Sequence, residues 1–168
     1  MLQYLFQKLV SEELFAALFY EAAANMLLCK GFKSEAKKYR DIAREELEHV
    51  EELTEVAYKY GFQLEFTILD SRVISTNSWK TVESLVSFAI KLEQEAINSY
   101  NSALTKVFEE DNIKVLEHIL KEEKEHKIDF EEMYNDFLKG DIKDFKCNIT
   151  PGHYNAANTL AHILKGYI

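Results

Sequence analysis

Arg44-Glu45-Glu46-Leu47-Glu48-His49-Val50 decides the fold, together with a second stretch of the same form, Lys121-Glu122-Glu123-Lys124-Glu125-His126-Lys127. Each contains Glu-x-x-His: Glu46 with His49, and Glu123 with His126. Three residues is close to one helical turn, so the carboxylate and imidazole of each pair share a helix face. Such a pair can hold one metal ion. Two pairs on two helices, each joined by a glutamate from a neighbouring helix, describe a dinuclear carboxylate site inside a bundle. Spacing alone is weak in a chain with 22 Glu among 168 residues. The position of the pairs in the helical pattern carries the argument.

Working outward, the second pair of Glu and His falls on an apolar stripe, and so does the first. Tyr39, Ile42, Glu46, His49, Leu53, Val56 and Tyr60 recur at helical spacing, with Gly61 closing the helix and Ser34 its expected N-cap. Leu116, Ile119, Glu123, His126, Phe130, Met133 and Phe137 do the same before Gly140, after an expected tight turn over Glu109–Asn112 with Asp111 as N-cap. Ahead of the first stretch, a helix from Leu2 to about Lys30 carries Glu13 and Tyr20 on its stripe and ends at Gly31. Ahead of the second, a helix beginning between Ser78 and Thr81 carries Leu85, Ala89, Glu93, Ile97, Tyr100, Leu104 and Val107. Phe62 to about Ser78 is too apolar for a free linker and is expected to be an extended strap that returns the chain to the opposite end of the bundle. Asp141 to Gly152 is expected as a loop, and about 153–166 as a short last helix with Ala157, Leu160, Ala161 and Leu164 on one face. The predicted fold is all-α, one domain over 1–168. It is a four-helix bundle over about 2–140, two antiparallel pairs joined by a long crossover, with a short fifth C-terminal helix.

Composition agrees. The chain is 47% hydrophobic with 5 Gly and 1 Pro, which suits long uninterrupted helices. A net charge of −9 argues against a nucleic-acid partner. The start of the chain is amphipathic and no apolar run reaches membrane-spanning length, so a cytoplasmic protein without a membrane partner is expected. Cys29 and Cys147 form no CxxC, which excludes a four-cysteine metal site within the chain and points to a reducing compartment.

Glu13, Glu46, His49, Glu93, Glu123 and His126 thus all face the core near the middle of their helices. Burying four unpaired carboxylates is costly, and they repel one another. Two metal ions supply the missing charge, and neutral His adds nitrogen donors. An internal repeat supports the set. Glu13-x6-Tyr20 is followed by Glu46-x-x-His49, as Glu93-x6-Tyr100 is by Glu123-x-x-His126, giving two halves about an approximate two-fold axis. As a matched pair, Tyr20 and Tyr100 are read as partners of the ligand carboxylates, hydrogen-bonded to them or placed to lose an electron.

Taken together, Glu13-Leu14-Phe15-Ala16-Ala17-Leu18-Phe19-Tyr20, Glu45-Glu46-Leu47-Glu48-His49, Glu93-Gln94 and Glu122-Glu123-Lys124-Glu125-His126 resemble the ferritin superfamily over all four long helices. With two histidines and four glutamates the set is more similar to bacterioferritin than to animal-type ferritin. The resemblance implies two iron ions per chain, or manganese in their place. Glu46 and Glu123 would bridge them, Glu13 with His49 would complete one, and Glu93 with His126 the other. It implies a ferroxidase and iron-storage function with Fe(II) and O2 or H2O2 as substrates, and a homo-oligomer, with a twenty-four-subunit shell favoured. Leu47 stands where bacterioferritin has its haem-ligating Met, so no haem is expected. Rubrerythrin, the peroxide-reducing relative, has a further Glu near this position of the third helix and a four-cysteine module. Here the flanking residues are Ile90 and Ala96. A rubrerythrin-like peroxide reductase without storage is the alternative, and a binding bundle with a structural metal is a third.

Overall fold

A computed structural model describes residues 2–65 and 81–140. Among them the chain forms four helices: α1 (Leu2–Lys30), α2 (Lys33–Lys59), α3 (Val82–Leu104) and α4 (Glu110–Leu138). The expected fifth helix, Cys147, and the strap beyond Glu65 lie outside the described residues. No described helix is long and apolar enough to cross a membrane.

Only Gly31 and Phe32 separate α1 from α2, and the backbone explains how so short a link reverses the chain. Gly31 sits at φ 94°, its N–H donates to Leu28 O at 3.1 Å, and Phe32 N–H donates to Leu27 O at 2.9 Å. This is the Schellman closure that glycine permits, and it brings Phe32 back onto the helix it has just left. Phe32 is therefore also the N-cap of α2, without a side-chain cap bond. The expected cap Ser34 is one residue inside the helix because the reversal is too tight to leave it outside. The same closure ends α2, where Gly61 (φ 73°) donates to Tyr58 O and Phe62 N–H to Ala57 O.

Beyond Phe62 the described part of the strap runs along α1. Gln3 Nε2 donates to Gln63 O at 2.8 Å, and Glu65 N–H donates to Gln7 Oε1 at 2.8 Å, while Phe62 and Leu64 pack on the core. Thr81 caps α3 in a reciprocal box with Ser84. The turn into α4 falls over Thr105–Glu109, earlier than expected. Glu109 is the N-cap, and Glu110, Asp111 and Asn112 are already helical. Asp111 serves in the first turn instead, where a negative charge complements the helix dipole.

Pairing across the bundle is antiparallel on both sides. Lys8 Nζ on α1 donates to Ser99 Oγ on α3 at 2.8 Å, and Lys38 on α2 pairs with Asp129 on α4 at 2.8 Å. The apolar core is split into two clusters. One, around Phe19, Leu27, Tyr39, Leu85 and Phe130, fills the end near the α1–α2 turn. The other, around Phe6, Leu9, Leu53, Leu116 and Ile119, fills the opposite end. Each fully buried side chain of this size stabilises the fold by about 1.5–3 kcal/mol. Between the clusters lies a polar layer, and the fold can carry its cost because both ends are well packed.

Candidate metal centre

The polar layer consists of the six predicted ligands. Glu13, Glu46, His49, Glu93, Glu123 and His126 are all buried, none more than 4% exposed. They form two overlapping groups whose ligand atoms lie within 4.8 Å of one another: Glu13, Glu46, His49 and Glu123, and Glu46, Glu93, Glu123 and His126. Glu46 and Glu123 belong to both.

Each imidazole turns Nδ1 inward. His49 Nδ1 lies 3.1 Å from Glu123 Oε1, 3.2 Å from Glu46 Oε2 and 3.6 Å from Glu13 Oε2. His126 Nδ1 lies 3.3 Å from Glu46 Oε1 and 3.9 Å from Glu93 Oε2. The two rings stack across the centre with centroids 6.0 Å apart. Each Nε2 points outward to a carboxylate on the other helix, His49 to Glu122 at 3.0 Å and His126 to Glu45 at 2.8 Å.

Protonation follows from this crowding. Burial pulls the His126 pKa down, but Glu45 and Glu46 outweigh it through hydrogen bonds, with the charges of Glu46 and Glu123 behind them, and raise it to about 10. His49 is likewise pushed far above its ordinary range, burial being outweighed by Glu123, Glu13 and Glu46. Burial, then the charges of Glu123 and Glu46, push the Glu93 pKa up. In the metal-free protein, protons hold the charges that cations would otherwise balance.

The donor set fits metal. Glu46 Oε1, Glu123 Oε1 and His126 Nδ1 are buried and, although each lies within 3.3 Å of a polar atom of the cluster, none makes a well-aligned hydrogen bond. Buried polar atoms normally make well-aligned hydrogen bonds, so a cluster that faces inward without them marks a place for something else. Carboxylate oxygens with imidazole nitrogens suit iron or manganese rather than thiophilic ions. Two divalent cations would balance the four carboxylates.

Both tyrosines reach the centre, each across the bundle from its own repeat. Tyr20 on α1 donates to Glu93 Oε1 on α3, and Tyr100 on α3 donates to Glu13 Oε1 on α1. Both are buried, and burial followed by the charge of the partnered carboxylate raises their pKa values. Between α1 and α3 a cavity is lined by part-exposed Glu12 and Glu95 and by Ala16 and Ala96. Its lining also includes Phe15, Tyr20 and Leu92 and continues to Glu13, Glu93 and Glu123.

Glu45 and Glu122 contact the two histidines and were not singled out by the sequence, although both stand in the quoted stretches. Each directly precedes a doubly shared glutamate and faces Nε2 of the opposite helix's histidine, where accepting its N–H would leave Nδ1 free for a metal. Glu122→Ala is expected to weaken metal at the His49 position about 10- to 100-fold and spare the other. Equilibrium dialysis resolving the two equivalents checks it.

A family model described as the ferritin-like domain matches residues 4–139, a span that includes all six residues. No curated protein matches the chain.

Proposed function

The chain belongs to the ferritin-like domain family, and we propose that its buried cluster is a di-iron ferroxidase centre serving iron storage. The observation that carries this is the pair of four-residue groups sharing Glu46 and Glu123. Glu13 and His49 would complete one iron position, and Glu93 and His126 the other. When bound, two Fe(II) ions supply one electron each to O2 or H2O2. A carboxylate-rich set favours Fe(III) over Fe(II), so these ligands pull the reaction forward. Tyr20 and Tyr100 fix the orientation of Glu93 and Glu13. The Tyr20 hydroxyl already has a proton acceptor in Glu93, so loss of an electron from this ring need not leave a buried cation. Tyr20→Phe keeps the packing and removes only the hydroxyl. At saturating Fe(II) it should slow Fe(III) formation about 10- to 100-fold in stopped-flow absorbance, more than any accompanying loss of Fe(II) affinity explains.

Storage needs a compartment, so the reading includes assembly into a hollow shell of many copies, measured by light scattering. The near-equivalence of the two halves also suits a metal pair that stays in place and cycles, which is the peroxide-reductase alternative. Resupplied Fe(II) separates the two. Continued oxidation well beyond the two ions that each chain binds supports the ferroxidase. Oxidation that stops once those positions are filled, with brisk peroxide turnover when a reductant is added, supports the alternative.

A further inference from the structure

Tyr39 is fully buried on α2, and its hydroxyl has no hydrogen-bond partner among the described residues. The repeat places Leu116 at the matching position of α4, seven residues before Glu123 as Tyr39 is seven before Glu46. Leu116 is equally buried, so a hydrocarbon side chain meets the packing demand at this register. A buried hydroxyl that bonds to nothing costs stability that a Leu or Phe would not. Its presence calls for a state in which it is satisfied.

The surroundings indicate that state. The Tyr39 ring meets Tyr20 edge-on at 5.7 Å and leans on Phe130 at 4.8 Å. Tyr20 in turn donates to Glu93. Behind burial itself, Glu93 is the carboxylate whose charge raises the Tyr39 pKa. Glu93 accepts from Tyr20 through Oε1, and its Oε2 faces His126 Nδ1 at 3.9 Å. A cation held between Glu93 and His126 would draw Oε2 into a new position, and Tyr39, packed beside Tyr20, stands next to the Tyr20–Glu93 pair.

We propose that Tyr39 is a further positioning residue of the metal centre, its hydroxyl donating to Glu93 when a cation occupies the Glu93–His126 half. The inference rests on the dinuclear reading. Leu116 gives the other half no such donor, so the hydroxyl makes the two metal positions unequal within an otherwise symmetric ligand set. The Glu93–His126 position is the tighter, and fills first.

The test compares wild type with Tyr39→Phe by anaerobic Mn(II) calorimetry and by melting with and without Mn(II). Wild type should bind two equivalents in distinguishable steps. In the variant the tighter step should weaken about tenfold while the other holds, in line with loss of an outer hydrogen bond to a ligand. The metal-free variant should melt at or above wild type, because it has lost an orphaned hydroxyl. Unchanged affinity in both steps, equal loss in both, or a metal-free variant that melts lower would each overturn the role of Tyr39. Wild type that binds no Mn(II) would overturn the dinuclear reading along with it.

Discussion

Glu46→Gln should remove both metal ions, not one. The two Glu46 oxygens face different histidines, Oε2 at 3.2 Å from His49 and Oε1 at 3.3 Å from His126. Replacing the carboxylate with an amide takes a negative charge from both four-residue groups at once and leaves volume and packing alone. Breaking one member of a buried charge cluster costs about 3–5 kcal/mol, which lowers affinity by a factor of hundreds or more. Glu123→Gln should match it, because Glu123 also belongs to both groups. Glu13→Gln and Glu93→Gln are the controls, each expected to cost one equivalent. Anaerobic titration with metal analysis of the washed protein reads all four. A Glu46→Gln protein that keeps one undisturbed equivalent would show that the carboxylate is not shared.

Metal should raise the melting temperature by about 10–20 °C at neutral pH, and the gain should widen as pH rises. Each ion at a hundredfold excess over its Kd adds about 2.7 kcal/mol by linkage. Two such terms in a domain of this size correspond to about 2–4 °C per kcal/mol. The pH dependence follows from the raised histidines. His126 is held protonated to about 10, and His49 is shifted the same way. Their stabilisation of the metal-free fold is complete below an unfolded histidine pKa of about 6.5 and is lost as pH climbs toward the folded value. Glu93, also raised, acts in the same direction at lower pH. The metal-free protein should therefore lose stability from about pH 6.5 to about 10. Metal must expel these protons, so its own contribution grows over that interval. Melts at several pH values with chelator or Mn(II) measure both trends. A metal increment that shrinks with rising pH contradicts the assignment of His49 and His126.

The buried cluster of six was legible because helical periodicity is a local property. Glu46 and His49, or Glu123 and His126, share a face whatever they face. The pairing between helices was not legible. That Tyr20 meets Glu93, and that Glu45 meets His126 rather than its own-helix neighbour His49, depends on α1 lying antiparallel to α3 and α2 to α4. No spacing within one helix encodes that register. Helix ends were readable where glycine closed them, at Gly31, Gly61 and Gly140. They were misplaced at Ser34, which the Gly31 closure leaves inside the first turn of α2, and at Asp111, which sits inside α4 because Glu109 is the N-cap. The orphaned hydroxyl of Tyr39 left no sequence signal at all, since tyrosine is ordinary on an apolar stripe.

Anomalous diffraction at the manganese edge, from crystals grown with Mn(II), tests the central claim most directly. The account predicts two peaks in each chain within the polar layer, one bound by Glu13 and His49 and the other by Glu93 and His126, with Glu46 and Glu123 contacting both. A single peak, or a layer in which the imidazoles keep their carboxylate hydrogen bonds and no peak appears, would contradict it.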